Sequence, residues 1–294
     1  MSVSSAKERE TVAMLASTRK LVNELTAPTV PPLLLEWVSV GILCLLFIGF
    51  PMEPVDFAVY YEAAQAWPNP YSLPLTKLGP YGVELYYIYT PLGALLVAPL
   101  ALVPYPVASA LIRIITVIGL HLLAGRTFWK TAAIIAAPTT ILLAYGNIDT
   151  VAALGLLLPG SAAALLLLAK PQVAILALPL IARRDGWRAF LPAAAVFALL
   201  LPQWLEWLSR ARAAPANPFS VSLFPWSLPV AALMVWFAWK RRNLHLAALA
   251  TPFATPYLTL ATLPIMAALL FRHWPRLGWV AWVGAWAYVI LRWQ

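Results

Sequence analysis

The chain has 294 residues, of which 62% are hydrophobic and only 11% charged, with a formal net charge of +9 and a mean hydropathy of +0.80. Soluble domains are about half apolar and about a quarter charged, so these figures exclude an ordinary soluble fold, a disordered chain and a secreted disulfide scaffold. They point to an all-α, polytopic transmembrane helical bundle. The single cysteine, Cys44, lies in an apolar run and leaves no intrachain disulfide to form. Nor is the excess of bases a nucleic-acid footprint: it is gathered in Arg183-Arg184-Asp185-Gly186-Trp187-Arg188, in Lys240-Arg241-Arg242, and at Arg272 and Arg276, between apolar runs. That is the pattern of cytoplasmic loops in contact with membrane lipid.

Residues 1–30 form the first segment. Ser5 and Glu8 make a capping-box pattern, and Met14, Leu15, Leu21, Val22 and Leu25 share one helical side, with Lys7, Arg9, Arg19 and Lys20 among them. The segment is too polar for a signal peptide. It reads as an amphipathic helix on the cytoplasmic membrane surface, ended by Pro28; docking to a partner protein is the alternative use of the same face. Residues 31–294 form the transmembrane domain. Its apolar runs cover 33–50, 87–103, 107–125, 131–145, 150–169, 171–182, 189–205, 226–239, 244–253, 257–271 and 279–291. Several fall short of the roughly 20 residues of a straight span. Proline-broken half-spans are tolerated only where protein or a wet cavity satisfies the freed backbone, so about eleven helical segments are expected, some of them half-spans around a cavity.

With the N-terminus inside, alternation of these segments puts the three basic clusters on the cytoplasmic side of an integral protein of a bacterial plasma membrane. One loop objects: 125–130, carrying Arg126 and Lys130, falls outside, so either a neighbouring segment does not cross or these bases serve a function there. The same counting puts the turn 146–149 inside; if its neighbours are half-spans, it lines the cavity instead. The outer loop 51–86 is the most informative. It holds Glu53, Asp56, Glu62, Lys77 and Glu84 beside Tyr60, Tyr61, Tyr71, Tyr81, Tyr86 and Trp67, a mixture that suits a sugar, whose hydroxyls need acceptors and whose C–H faces stack on rings.

The stretch Asp56-Phe57-Ala58-Val59-Tyr60-Tyr61-Glu62-Ala63-Ala64, followed by Asn69-Pro70-Tyr71 and Tyr89-Thr90-Pro91-Leu92, resembles glycosyltransferase family 87. Gly146-Asn147-Ile148-Asp149 is similar to that family's Gly-Gln-x-Asn-like turn, and Lys170-Pro171-Gln172 to its Lys-Pro-Gln segment; together they cover residues 40 to 180. The resemblance implies a GT-C fold and a membrane-embedded transferase. Its donor would be a polyprenyl-phosphate sugar, commonly mannose, acting as co-substrate with no cofactor, and its acceptor a glycan or glycolipid. Two departures keep a second reading open, a non-catalytic membrane subunit with a degenerate GT-C fold. The family is usually longer, and where it has a Ser-Pro followed by His this chain reads Thr251-Pro252-Phe253-Ala254-Thr255-Pro256-Tyr257, with Tyr257 in the place of the imidazole.

Transfer from a lipid phosphate needs a base for the acceptor hydroxyl and cations for the departing phosphate; one displacement inverts the anomeric carbon. Asp56 is the expected base, although it also stands where an N-cap would. Tyr60, one turn on, shares its face, whereas Glu62 points elsewhere. The resemblance extends substrate contact to Tyr61, Tyr71, Tyr89, Asn147, Lys170, Gln172 and Tyr257. Lys170, Lys77, Arg210 and Arg212 are the candidates for phosphate. Lys170 stands between two apolar runs, where an ionisable group is functional by default unless it snorkels to the interface. Arg113 is expected to snorkel inward or to pair with the protein interior, and His121 to be a core residue. No ligand set for a metal is visible. The Trp residues, Trp204 and Trp207 included, read as interfacial belts, with sugar stacking as the alternative for that pair. No Gly-rich phosphate cradle is present, which disfavours a sugar-nucleotide donor, and no inverted repeat supports a transporter.

Overall fold

The computed structural model describes residues 32–51, 54–72, 87–213, 220 and 222–292, and among them every regular element is helical. The chain divides into two units, Met1–Ser39 and Val40–Gln294. The interfacial helix expected over 1–30 lies outside the described residues, as does the stretch 73–86 with Lys77.

Proline punctuates the helices. Pro91, Pro106, Pro171, Pro179, Pro192, Pro229 and Pro264 each occupy one of the first two positions of a helix, where a missing N–H costs nothing and the fixed φ helps. Helix α1 (Pro32–Ile48) is followed by α2 (Val55–Gln65), α3 (Pro91–Val97) and α4 (Tyr105–Leu123). Among the described residues, α4 alone is by itself long and apolar enough to cross a membrane.

The run 87–103 is not one continuous helix. Helix α3 has seven residues, a rise of roughly 10 Å. After it the chain returns beside α2, where the Tyr61 hydroxyl donates to Val103 O at 2.7 Å and that of Tyr105 to Pro54 O at 3.0 Å. At the far end of α4, Arg272 Nη1 donates to Leu122 O at 3.2 Å, so the loop 125–130 lies with the other basic clusters rather than opposite them.

Three helical hairpins then rise from that basic end. The first climbs through α5 (Phe128–Ile135) and a 3-10 turn (Pro138–Leu143) to a tip at 144–149, and descends through α6 (Asp149–Ala153) and a second 3-10 turn (Leu154–Leu157). The tip sits halfway along α4: Arg113 Nη2 donates to Ala144 O at 3.2 Å, and a Cβ on Gly119 would lie 2.6 Å from the Thr150 methyl. The second rises as α7 (Gly160–Ala169), bends by 116° at Lys170, and returns through α8 (Pro171–Ala174), a 3-10 turn (Ile175–Ala177) and α9 (Leu178–Asp185). Its two feet are joined, since Gly160 N donates to Asp185 Oδ2 at 2.7 Å and Arg184 Nη2 to Leu158 O at 2.9 Å. The run 150–169 is therefore two arms with a turn at Pro159-Gly160 between them, Gly160 having φ +45°.

Next come α10 (Leu191–Leu199) and α11 (Leu201–Ala213), bent by 72° at their junction, and α12 (Leu228–Arg241). The third hairpin pairs α13 (Leu244–Ala254) with α14 (Leu263–His273), a 3-10 turn (Leu260–Thr262) closing its tip; α15 (Pro275–Arg292) follows. The feet of the hairpins meet at the basic end, where the rings of His245 and His273 lie 4.3 Å apart and the Arg183 guanidinium covers Trp239 at 4.8 Å. Close packing of the arms rests on small residues such as Ala163, Ala174, Ala177, Ala247 and Ala248, all buried, which let helix backbones approach. The outer surface stays apolar, with Leu102, Leu199, Trp226 and Val280 all more than two-thirds exposed. Trp204 is no belt residue: it is buried between Phe197 and Trp207.

Candidate active site

The three tips converge on the start of α2. Pro54 is the N-cap of that helix and no side chain caps it, so Asp56 stands in the first turn and the capping alternative does not hold. Its carboxylate is near the positive end of the helix. Phe57 N donates to Tyr145 O at 3.1 Å, joining α2 to the first tip. Gly146 makes this approach possible: its φ is +81°, and a Cβ there would fall 2.4 Å from Phe57 Cβ.

From that anchor a polar chain runs inward. Asn147 Nδ2 donates to Asp56 Oδ2 at 3.3 Å. Asn147 Oδ1 accepts from Asp149 N at 3.3 Å and from Lys170 Nζ. The Lys170 ammonium is also paired with Asp149 Oδ1, and Thr262 Oγ1 donates to Asp149 Oδ2 at 2.7 Å. Asn147, Asp149, Lys170 and Thr262 are all buried, none more than 2% exposed. A buried ion is tolerated when it is paired and hydrogen-bonded, and here each charge has both. Breaking the second hairpin at Lys170 is what brings the ammonium to this place. Two carbonyls next to the break, Leu168 O and Ala169 O, are met by the Thr90 hydroxyl at 3.0 and 2.9 Å.

Aromatic rings wall the cluster. Tyr60 and Tyr89 stack with centroids 4.5 Å apart, and the Lys170 ammonium lies 5.0 Å from the Tyr89 ring and 5.8 Å from that of Tyr60, within cation–π range. Tyr71 buttresses the wall by donating to Tyr89 O at 2.9 Å, and Tyr87 by donating to Thr90 O at 2.7 Å. Helix α11 clamps the outside: Trp207 Nε1 donates to Ile88 O at 3.0 Å, and Arg210 donates to Tyr71 O while pairing with Glu206 at 3.1 Å. Burial pushes the Asp56 carboxyl above its ordinary value; Lys170 opposes this, the charge of Asp149 adds to it, and the Asn147 hydrogen bond opposes it.

Of the residues singled out from the sequence, Asp56, Tyr60, Tyr89, Asn147 and Lys170 are thus brought together, with Tyr71 and Arg210 behind the wall. Tyr257 lies in the tip of the third hairpin, within electrostatic range of the Tyr89 hydroxyl. Gln172 is half-buried on α8. Tyr61 is turned away, its hydroxyl on Val103 O and its ring against Tyr105. Arg212 is exposed and lines a surface groove with Leu205, Leu208 and Ser209. Arg113 does pair within the interior, donating to Ile48 O, Phe50 O and Ala144 O, and His121 is a core residue bonded to Thr131. The sequence reading left Asp149 open and missed Thr262 and Thr90. The signal for Asp149 was the one used for Lys170, an ionisable group between apolar runs.

Broken apolar helices thus meet at a buried ion pair, an aromatic wall and a half-buried carboxylate. Over 118 residues the chain is 30% identical to the polyprenol-phosphate-mannose-dependent alpha-(1-2)-phosphatidylinositol mannoside mannosyltransferase of Mycobacterium tuberculosis (strain ATCC 25618 / H37Rv). The match takes in 37% of this chain and 27% of the relative, so it spans about a quarter of that protein's length. No protein-family model matches the chain, and no solved structure matches it.

Proposed function

We propose that the protein is a membrane glycosyltransferase of the GT-C type. In this reading it moves a sugar, mannose, from polyprenyl phosphate to an acceptor hydroxyl at the outer membrane face. The observation that carries the reading is Asp56, set in the first turn of α2 and linked through Asn147 to the buried Lys170 beneath the Tyr60–Tyr89 wall. The similarity to a polyprenol-phosphate-mannose-dependent enzyme supports it, as does the apolar exterior, which lipid solvates and water does not.

Asp56 takes the proton of the acceptor hydroxyl as the acceptor oxygen bonds to the anomeric carbon. The bond from that carbon to the phosphate oxygen breaks on the opposite face, and polyprenyl phosphate leaves with the electron pair, inverting the centre. The phosphate is a weak base and needs no acid. Arg210, half-exposed beside Tyr71, is the best placed of the described cations to hold it, with Arg212 further along the same helix; Lys77, outside the described residues, stays a candidate from the sequence. Lys170 is already matched by Asp149, so its part is to hold Asn147 and offset the charge of Asp56. Tyr60, Tyr89 and Tyr257 are the sugar contacts.

Purified protein given polyprenyl-phosphate mannose and an acceptor releases polyprenyl phosphate in this reading, and Asp56→Asn lowers the rate by about 10³-fold or more. Because the base works ionised and its pKa is raised, the rate climbs with pH through a value above the ordinary carboxylate range and then levels. The same shift has a stability consequence. A carboxyl whose folded pKa is raised is destabilising when ionised, above its unfolded pKa, so Asp56→Asn melts no lower than wild type at neutral pH. A near-wild-type rate in that variant sinks the assignment of Asp56.

A second reading, a non-catalytic subunit of a larger complex, is favoured by the short match to the relative and by Tyr257 standing where a His was expected. It requires stable co-purification with other chains and no turnover by wild type.

A further inference from the structure

A carboxamide can be turned end for end, since its oxygen accepts and its nitrogen donates. The surroundings of Asn147 permit one orientation. Its Oδ1 faces two donors, the Asp149 backbone N–H and the Lys170 ammonium, which leaves the NH₂ end for Asp56 Oδ2. The ammonium is held there by Asp149 Oδ1, and Asp149 in turn by the Thr262 hydroxyl at 2.7 Å. The chain of contacts thus links the tips of all three hairpins before it reaches α2.

We infer that Asp149 is a positioning residue: its carboxylate clamps Lys170 onto Asn147 and, through Asn147, occupies Oδ2 of Asp56 so that Oδ1 is directed to the acceptor hydroxyl. This inference rests on the reading of Asp56 as the base. A hydrogen bond donated to Asp56 favours its ionised, proton-accepting form. The groups facing the Asp56 carboxyl are Lys170 and Asp149 from the hairpin tips, with the phenols of Tyr60 on its own helix and Tyr89 opposite. The two charged groups act on it in opposite senses, which makes their roles separable.

The test compares wild type with Lys170→Met, Asp149→Asn, Thr262→Val and the double variant Lys170→Met/Asp149→Asn. Two quantities are measured: the pH profile of kcat/KM with polyprenyl-phosphate mannose, and an infrared titration of the Asp56 carboxyl, assigned by its loss in Asp56→Asn and needing no turnover. Lys170→Met moves the Asp56 midpoint up and Asp149→Asn moves it down, each by about one pH unit. The double variant leaves neither member of the Asp149–Lys170 pair without its partner; it folds, returns the midpoint close to that of wild type, and still loses transfer because Asn147 is no longer held. Thr262→Val, which changes no charge, lowers kcat about tenfold with KM kept. Full turnover in the double variant overturns the inference, as do midpoints that move together or stay put. Should wild type transfer no sugar while the infrared midpoints move in opposite senses, the proposed function fails and the clamp stands. If transfer occurs and the midpoints do not diverge, the clamp alone fails.

Discussion

At the scale of single residues, Gly146 carries the tightest constraint around the site. Its positive φ and the 2.4 Å approach to Phe57 Cβ leave no room for a side chain. Gly146→Ala combines a left-handed backbone cost with overpacking and should destabilise by about 2–4 kcal/mol, read as a lower melting temperature, with transfer lost in proportion as Asn147 leaves Asp56. Asp56 and Lys170 stand out through the resemblance of their segments to a transferase family; charge alone leaves N-capping open for the first and snorkelling for the second. Asp149 carries the same mark, but counting spans leaves its turn open between the inside and the cavity that Asp56 faces. Thr262 was illegible: a hydroxyl inside an apolar run gives no sign of whether it bonds its own helix or a carboxylate 113 positions away.

Among elements, the short arms matter more than the one long helix. Arms that stop in the interior strand backbone carbonyls, and each needs a donor. Thr90 serves the break at Lys170. Arg113 serves two others, the end of α1 through Ile48 O and Phe50 O and the first tip through Ala144 O. Arg113→Leu removes these bonds and should cost about 2–3 kcal/mol, with hydrogen exchange rising first at residues 48–50 and 144–147. Proline and glycine marked the breaks in the sequence: Pro138, Gly146, Pro159-Gly160 and Pro171 all stand at them. What hydropathy could not reveal was direction. An apolar run that doubles back after seven residues has the same composition as one that continues, so nothing in the hydropathy of 87–103 separates the two.

On the scale of the whole body from Val40 onward, the charges sort by place. Arg126, Lys130, Arg183, Arg184, Lys240 and Arg272 lie at the feet of the hairpins, and aromatic rings lie beneath several of them: Trp239 under Arg183 and Trp236 under Lys240 at 3.9 Å. That grouping was legible in the sequence as clusters, and the contact of Arg272 with the end of α4 adds the dissenting loop to it. Anionic lipid at this surface contributes about 1 kcal/mol per nearby base. Added phosphatidylglycerol should therefore raise the melting temperature of the wild type in neutral detergent, and Arg183→Glu/Lys240→Glu should remove most of the rise without touching Asp56. The buried pair of Asp149 and Lys170 also bears on how the chain is made. As the ribosome delivers it, the first hairpin presents an acid to the bilayer with no cation beside it, a costly state, and the neutralising ammonium follows 21 residues later. In the membrane reading proposed above, the two hairpins would enter as one insertion unit, and a chain truncated between them should stall at the translocon or be degraded there.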